Sequence, residues 1–279
     1  MMRCTKAVIM VAGWGTRMLP ITKSIEKCML PVGKRPVIDY IVQDLVGAGI
    51  KDIFFVVGEQ SEQLQSYYRT NIPLSDYLKR NNKHDYLPLI APLKDVSIHF
   101  TVQPSSGKYG TSVPASLVNE FVDEDEMVLY MNGDNFFYRT DEGSCAADLV
   151  QLVEEASVSA GLLCNVLPRE KIQLFGVVEK DNNDRFVRIV EKPAPEETTS
   201  NLNNSGFYLF PKEIFNLAST LPANEKRGEY EITDAINAYV AAGNQLVVGV
   251  ANGEYMECGS VEGWLRANEI VVADIHRST

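Results

Sequence analysis

The chain has 279 residues, with 26 Lys and Arg against 37 Asp and Glu, and so a formal net charge of −11 at pH 7. That balance excludes a broad nucleic-acid footprint, which needs clustered cations to displace phosphate counterions; a small anionic ligand, which feels its own pocket more than the total charge, stays open. With 45% hydrophobic and 23% charged residues, the composition is that of an ordinary globular chain and excludes a long disordered tract.

Met1-Met2-Arg3-Cys4-Thr5-Lys6 leads into an apolar run too short for a signal peptide or a membrane span, and glycines follow it rather than a cleavage site. Residues 7–11 read as a buried strand and 36–48 as an amphipathic helix closed by Gly49. A second strand over 53–57 and a helix over 60–68 follow. Residues 71–94, rich in Asn, Lys, Leu and Tyr, read as a partly helical excursion from the core. A strand at 98–103, a helix at 113–121 and a strand at 127–131 complete a β-α-β-α rhythm. That rhythm predicts a parallel sheet with right-handed crossovers and helices on both faces.

The second half changes character. A helix at 145–156 precedes strands at 160–166, 175–179, 186–191 and 206–210. Helices at 214–218 and 232–242, a strand at 246–250 and a last helix at 261–276 follow. No internal repeat or low-complexity linker appears, and one composite α/β domain over 1–279 is expected. The five cysteines, Cys4, Cys28, Cys145, Cys164 and Cys258, are scattered and contain no C-x-x-C pair. Neither a disulfide framework nor a structural zinc site is therefore expected, and a cytoplasmic setting is the default.

The most informative stretch is Ala12-Gly13-Trp14-Gly15-Thr16-Arg17-Met18-Leu19-Pro20, directly after the first strand. Glycines at a strand's carboxyl end let the backbone turn tightly and aim N–H groups at the crevice above a sheet, where they suit phosphate oxygens. The dinucleotide fingerprint fails because Met18 stands at its third glycine, and no G-x-x-x-x-G-K-[ST] occurs. Arg17, Lys23 and Lys27 follow within a short span of an otherwise acidic chain. That clustering favours phosphate binding over a solvated basic loop.

Asp134 follows the apolar strand before it and would project toward the same crevice, as a hard oxygen ligand suited to Mg²⁺ or as part of a plain Gly133-Asp134-Asn135 turn. Gln103 ends a strand, and its primary amide, donor and acceptor at once, is either a polar ligand contact or an ordinary surface strand-end glutamine. Only three histidines, His84, His99 and His276, are present. They are dispersed, and no H-E-x-x-H or G-x-S-x-G occurs, so no covalent nucleophile is indicated.

From Gly13 through Lys23 and on to Lys27-Cys28-Met29-Leu30-Pro31, the sequence resembles the opening signature of the sugar-1-phosphate nucleotidyltransferases, and among them the bacterial UTP–glucose-1-phosphate uridylyltransferases. The likeness continues through Gln103, Gly133-Asp134-Asn135, Phe175-Gly176-Val177, Glu191-Lys192-Pro193, Gly228-Glu229-Tyr230-Glu231-Ile232-Thr233-Asp234 and Cys258-Gly259-Ser260. The resemblance implies a Rossmann-like three-layer αβα fold with a mostly parallel central sheet. It also implies a nucleotide-binding half over about 1–140 and a sugar-binding, metal-completing half over about 141–279.

The implied reaction is Mg²⁺-assisted attack of glucose 1-phosphate on the α-phosphorus of UTP, giving UDP-glucose and pyrophosphate. A thymidylyltransferase acting on dTTP and a non-catalytic nucleotide-sugar-binding regulator are the alternatives. By the same resemblance, Arg17 and Lys27 neutralise the triphosphate, and Lys23 either helps or points to solvent. Ala12, Gly13, Gly15, Thr16, Gln103 and Gly110 lie against the nucleotide. Asn135, Gly176, Glu191, Lys192 and Asn204 meet the sugar phosphate, and Asp134 and Glu257 hold the metal. Glu257 stands where the family carries aspartate, Glu26 where it usually has proline, and Cys28 where it usually has glutamate. Small-molecule substrates, no nucleic-acid or membrane partner, and a homodimer or homotetramer are the expected associations.

Overall fold

The structure, a computed structural model, describes residues 3–225 and 227–278. The first strand, β1 (Arg3–Val11), is followed by a winding loop and a two-residue hairpin of β2 (Pro31–Val32) and β3 (Arg35–Pro36). Next come α1 (Val37–Gly47), β4 (Asp52–Gly58), α2 (Gln63–Tyr68), α3 (Ile72–Arg80), β5 (Ser97–Gln103), α4 (Val113–Val118) and β6 (Glu126–Asn132). The second half runs through β7 (Asn135–Tyr138), α5 (Cys145–Glu155), β8 (Gly161–Val166), β9 (Gly176–Lys180), β10 (Phe186–Glu191) and β11 (Leu202–Pro211). It ends with α6 (Lys212–Thr220), α7 (Ile232–Ala241), β12 (Val247–Val250), β13 (Glu254–Glu257) and α8 (Val261–Ser278).

β1 explains the layering. Ala7 and Ile9 pack into one apolar cluster with Phe55, Leu129 and residues of α1, α5 and α8. Val8 points the other way, into a cluster with Val56, Tyr130 and residues of α4, α6 and α7. Successive side chains of a strand face opposite ways, so a continuous apolar run is what a strand covered on both faces requires. The result is the three-layer αβα arrangement expected from the sequence.

β1 pairs in parallel with β4 and with β6, and β4 pairs in parallel with β5. The chain therefore moves from β1 outward to β4 and β5, then returns to lay β6 on the other side of β1. Crossovers that diverge in this way leave a crevice at the carboxyl ends of the central strands, the usual place for a ligand in an α/β sheet. Beyond β6 the sheet turns antiparallel: β11 runs against β6 and pairs with β8 and β9, β10 pairs with β9, and β12 runs parallel to β8.

Two features of the second half had no sequence signal. β11 begins four residues before the expected start, because Leu202, Asn203 and Asn204 find backbone partners on β8; their polarity hides a strand. The short antiparallel ladder of β7 and β13 joins segments more than a hundred positions apart. In the 71–94 excursion, α3 is capped by Asn71, whose Oδ1 accepts from the Leu74 N–H at 3.0 Å, and a 3₁₀ stretch, His84–Ile90, follows. Among the described residues no helix is long and apolar enough to cross a membrane.

The first turn of α5 is capped twice. Ser144 Oγ accepts from the Ala147 N–H at 3.0 Å, and the Asp44 carboxylate of α1 accepts from the N–H groups of Cys145 at 2.7 Å and Ala146 at 3.0 Å. Burial raises the Asp44 carboxyl above its ordinary range, although these donors pull it the other way. The pair of contacts fastens α5 to α1. Asp44→Ala is expected to cost about 1–2 kcal/mol of unfolding free energy, read by urea denaturation, whereas Asp44→Asn, which still accepts, should lose less.

Candidate functional site

The loop leaving β1 alternates buried plugs with cations, Arg17 exposed and Lys27 partly buried. Met18, Cys28 and Leu30 sit in the core, and Arg17 and Lys27 each precede a plug, so both are held over the crevice by anchored backbone. Gly15 has φ +62°, a left-handed conformation that glycine adopts without steric cost, and its carbonyl accepts from Thr22 Oγ1 at 2.9 Å. Gly13 differs, since a Cβ there would touch nothing within 4 Å. Internal packing does not demand glycine at 13; the space in front of it belongs to the cavity.

The acidic side arrives from two distant segments. After β6, the Gly133 N–H donates to the Met10 carbonyl at 3.0 Å, which brings Asp134 beside the start of the β1 loop. In the β7–β13 ladder Glu257 pairs with Asn135, and the Cys258 N–H donates to the Asp134 carbonyl at 3.0 Å. Asp134 and Glu257 thus become neighbours by strand register. Lys27 forms an ion pair with Asp134, and Arg17 Nη2 lies 3.8 Å from Glu257 Oε1. Ser260 Oγ donates to Glu257 Oε2 at 2.6 Å and orients that carboxylate. Gly259 closes the group: a Cβ there would come within 2.9 Å of both Arg17 Nη2 and Lys27 Nζ and would collide with Glu257.

Two adjoining cavities open here. The smaller, about 350 Å³, is lined by Ala12, Gly13, Gly15, Arg17, Lys27, Gln103, Tyr109, Gly110, Thr111, Asn132 and Asp134. The larger, about 680 Å³, shares Ala12, Gly13, Lys27, Gln103 and Tyr109 with it and extends past Trp14, Thr16 and Lys23 toward the residues after β4. Gln103, buried at the end of β5, stands on the wall of both. Gly110 lines the smaller cavity, yet the direction its Cβ would take is filled by the backbone of Tyr230. Glycine at 110 is therefore required by packing against that segment as well as being open to the crevice.

A second group of expected residues gathers along β9, β10 and β11. The Cβ position of Gly176 lies 2.9 Å from Glu191 Oε2 and 3.6 Å from Asn204 Cβ, so these three meet. Asn204 Oδ1 accepts from Tyr208 Oη at 2.8 Å. Lys192 adopts a left-handed φ of +48°, and its N–H donates to the Phe175 carbonyl at 2.9 Å. The irregularity in β11 between Asn204 and Phe207 joins this group to the first. Asn135 Nδ2 donates to the Ser205 carbonyl at 3.2 Å, and the side chain of Asn132, on the cavity wall, lies against Gly206.

Arg227, not singled out in the sequence, connects the two groups electrostatically. Its Nη1 lies 3.6 Å from Glu191 Oε1 and 3.1 Å from Glu231 Oε1, while Thr111 Oγ1 of the cavity wall donates to Glu231 Oε2 at 3.3 Å. Burial raises the Glu231 carboxyl above its ordinary range, and Arg227 pulls it down. The signal available in sequence was Glu229 and Glu231 within the resemblance, with nothing to pair them to position 227.

Among the described residues no group of three or more His, Cys, Asp or Glu could enclose a metal ion. Asp134 and Glu257 make a two-carboxylate set. That set matches a hard divalent cation whose remaining ligands are waters and phosphate oxygens, as Mg²⁺ prefers.

Residues 6–273 match the family described as nucleotidyl transferase. A Methanocaldococcus jannaschii protein, provisionally named for UTP–glucose-1-phosphate uridylyltransferase activity, is 35% identical over 96% of this chain and 93% of its own. The UTP–glucose-1-phosphate uridylyltransferase of Streptococcus pneumoniae is 33% identical over 83% of this chain and 78% of its own. A UTP-bound UGPase structure from Acinetobacter baumannii superposes with a TM-score of 0.84 at 27% identity, covering 96% of this chain and 93% of that one.

Two cysteines flank the charged group, Cys28 beside Lys27 and Cys258 beside Glu257. Both are buried; burial drives the Cys28 thiol far up and pushes Cys258 to about 12. A thiol that stays protonated is a poor nucleophile. Native chain titrated with an aromatic disulfide reagent at pH 8 should react slowly at both positions, and all five cysteines should react in guanidinium. Fast labelling of Cys28 in the native chain would contradict this.

Proposed function

The chain belongs to the nucleotidyl transferase family, and from that premise we propose that it makes UDP-glucose and pyrophosphate from UTP and glucose 1-phosphate. The observation that carries the reading is the convergence of Arg17, Lys27, Asp134 and Glu257 on one crevice at the carboxyl end of β1. The names of relatives that share 33–35% of their residues with this chain support the choice of substrates.

In the proposed reaction a phosphate oxygen of the sugar forms a bond to the α-phosphorus, and the bond from that phosphorus to the bridging oxygen breaks. The electron pair leaves with pyrophosphate. Such a transfer needs alignment and charge neutralisation more than covalent help. Arg17 and Lys27 supply two cations on anchored backbone. The open space before Gly13 lets chain amides approach the phosphates. Gln103 presents donor and acceptor to the pyrimidine edge. Gly176, Glu191 and Asn204 form a compact polar wall suited to sugar hydroxyls, with Asn135 and Lys192 at its margins.

Asp134 and Glu257 would hold Mg²⁺, which when bound supplies positive charge to the phosphates. Their present partners, Lys27 and Arg17, are the groups a triphosphate would also engage. The halves divide accordingly: residues up to about 140 carry the nucleotide contacts, and those beyond complete the sugar and metal contacts.

Uracil and thymine differ by one methyl, a difference worth about 1–3 kcal/mol in a fitted pocket. Pyrophosphate release measured with Mg²⁺ and glucose 1-phosphate is expected to be faster with UTP than with dTTP. The reverse order would make the chain a thymidylyltransferase, and tight nucleotide binding with no turnover would make it a regulator. Asp134→Asn should lower turnover on the order of 100-fold, with an unchanged circular dichroism spectrum. Lys27→Ala should lower kcat more than Lys23→Ala, because Lys27 is tied into the charged group whereas Lys23 is exposed on the wall of the larger cavity.

A further inference from the structure

Glu26 is unusual for its place, since the resemblance puts proline there. It lies on the wall of the larger cavity, but its carboxylate is taken up by chain contacts. It reaches across to the segment after β4, where Oε1 accepts from the Gln63 N–H at 2.6 Å and the Leu64 N–H at 3.4 Å, and Oε2 accepts from Ser61 Oγ at 2.5 Å. Gln63 returns the contact: its Oε1 accepts from the Glu26 N–H at 2.8 Å, and its Nε2 donates to the Ser24 carbonyl at 3.0 Å. Five hydrogen bonds therefore join residues 24–26 to residues 61–64.

One end of this clamp is well anchored, because Leu64 is fully buried and Ser61 is nearly so. The other end is the residue immediately before Lys27. Glu26 itself has φ −59°, close to the value a proline ring imposes. The residue that follows it starts the 3₁₀ turn that carries the Lys27 ammonium to Asp134. A backbone stiffened by a ring and a backbone stiffened by reciprocal hydrogen bonds meet the same need. A long flexible lysine delivers its charge reproducibly only if its Cα is fixed.

We propose that Glu26 is a positioning residue: through Ser61, Gln63 and Leu64 it ties the 24–27 segment to the start of α2 and holds Lys27 at the reacting phosphates. The proposal rests on the nucleotidyltransfer reading given above, and it makes Glu26 act through Lys27 and not by its own charge. Glu26→Gln keeps an acceptor for the Gln63 N–H and can donate to Ser61 Oγ, so geometry survives while charge is lost.

The test is a double-mutant cycle in the full-length protein, with kcat for pyrophosphate release and UTP affinity by calorimetry as readouts. Glu26→Ala should lower kcat about 10- to 100-fold in the parent, the size expected for a misplaced catalytic group. It should lower kcat less than about twofold in the Lys27→Ala background, because coupled residues are not additive. Glu26→Gln should stay within about threefold of the parent. Gln63→Ala, an exposed change to a good helix former, gives a second route that avoids misfolding; it should lower kcat several-fold in the parent and not in Lys27→Ala. Equal effects of Glu26→Ala on both backgrounds, or a Glu26→Gln chain as poor as Glu26→Ala, would overturn the clamp alone. A parent chain that neither releases pyrophosphate nor binds UTP would overturn the nucleotidyltransfer reading and the clamp with it.

Discussion

Two cations and two carboxylates share one partly buried crevice, and the rest of the molecule is arranged so that they can. Charges withdrawn from water are tolerated only when paired, and the Lys27–Asp134 pair meets that condition, while the exposed Arg17 stands over the less exposed Glu257. Under the proposed function the same group of charges receives a polyanion. In the proposed reaction, cations held by anchored backbone need little reorganisation to meet a phosphate, and preorganised charge is where much of the catalytic advantage of such sites resides.

Holding those four groups uses the whole sheet. β1 delivers the loop with the cations, and Met18, Cys28 and Leu30 pin it from below. The order of β5, β4, β1 and β6 opens the crevice directly above β1. β7 and β13 then fix Glu257 beside Asp134 by ladder register. Cys28 and Glu26, two of the three departures from the resembling family, are explained together. Cysteine fills a buried position with a small apolar side chain, and the carboxylate, moved to 26, becomes a tie between loop and helix.

Much of this was legible in the chain itself. The apolar runs at 7–11, 53–57 and 127–131 are continuous because both faces of those strands are buried, so the parallel core and its flanking helices followed from pattern. The cluster of Arg17, Lys23 and Lys27 after Gly13 and Gly15 marked the loop that borders the cavities, and Gln103 and Asp134 were placed correctly at strand ends. Less legible was anything carried by a pairing between remote segments. Arg227 looks like an ordinary charged loop residue until Glu191 and Glu231 are brought to either side of it. Gly110 is readable as a glycine but not as a contact for Tyr230.

Local periodicity and residue chemistry, then, sufficed for the sheet, the cation-bearing loop and the identity of the charged groups, because those depend on near neighbours and on whether a face is apolar. Which charge meets which, how Glu257 comes to lie beside Asp134, and what Glu26 does depend on strand register and helix placement across dozens to hundreds of positions. Hydrogen-bond direction and ladder register are properties of two segments at once, and neither segment carries the information alone; only the folded chain decides them.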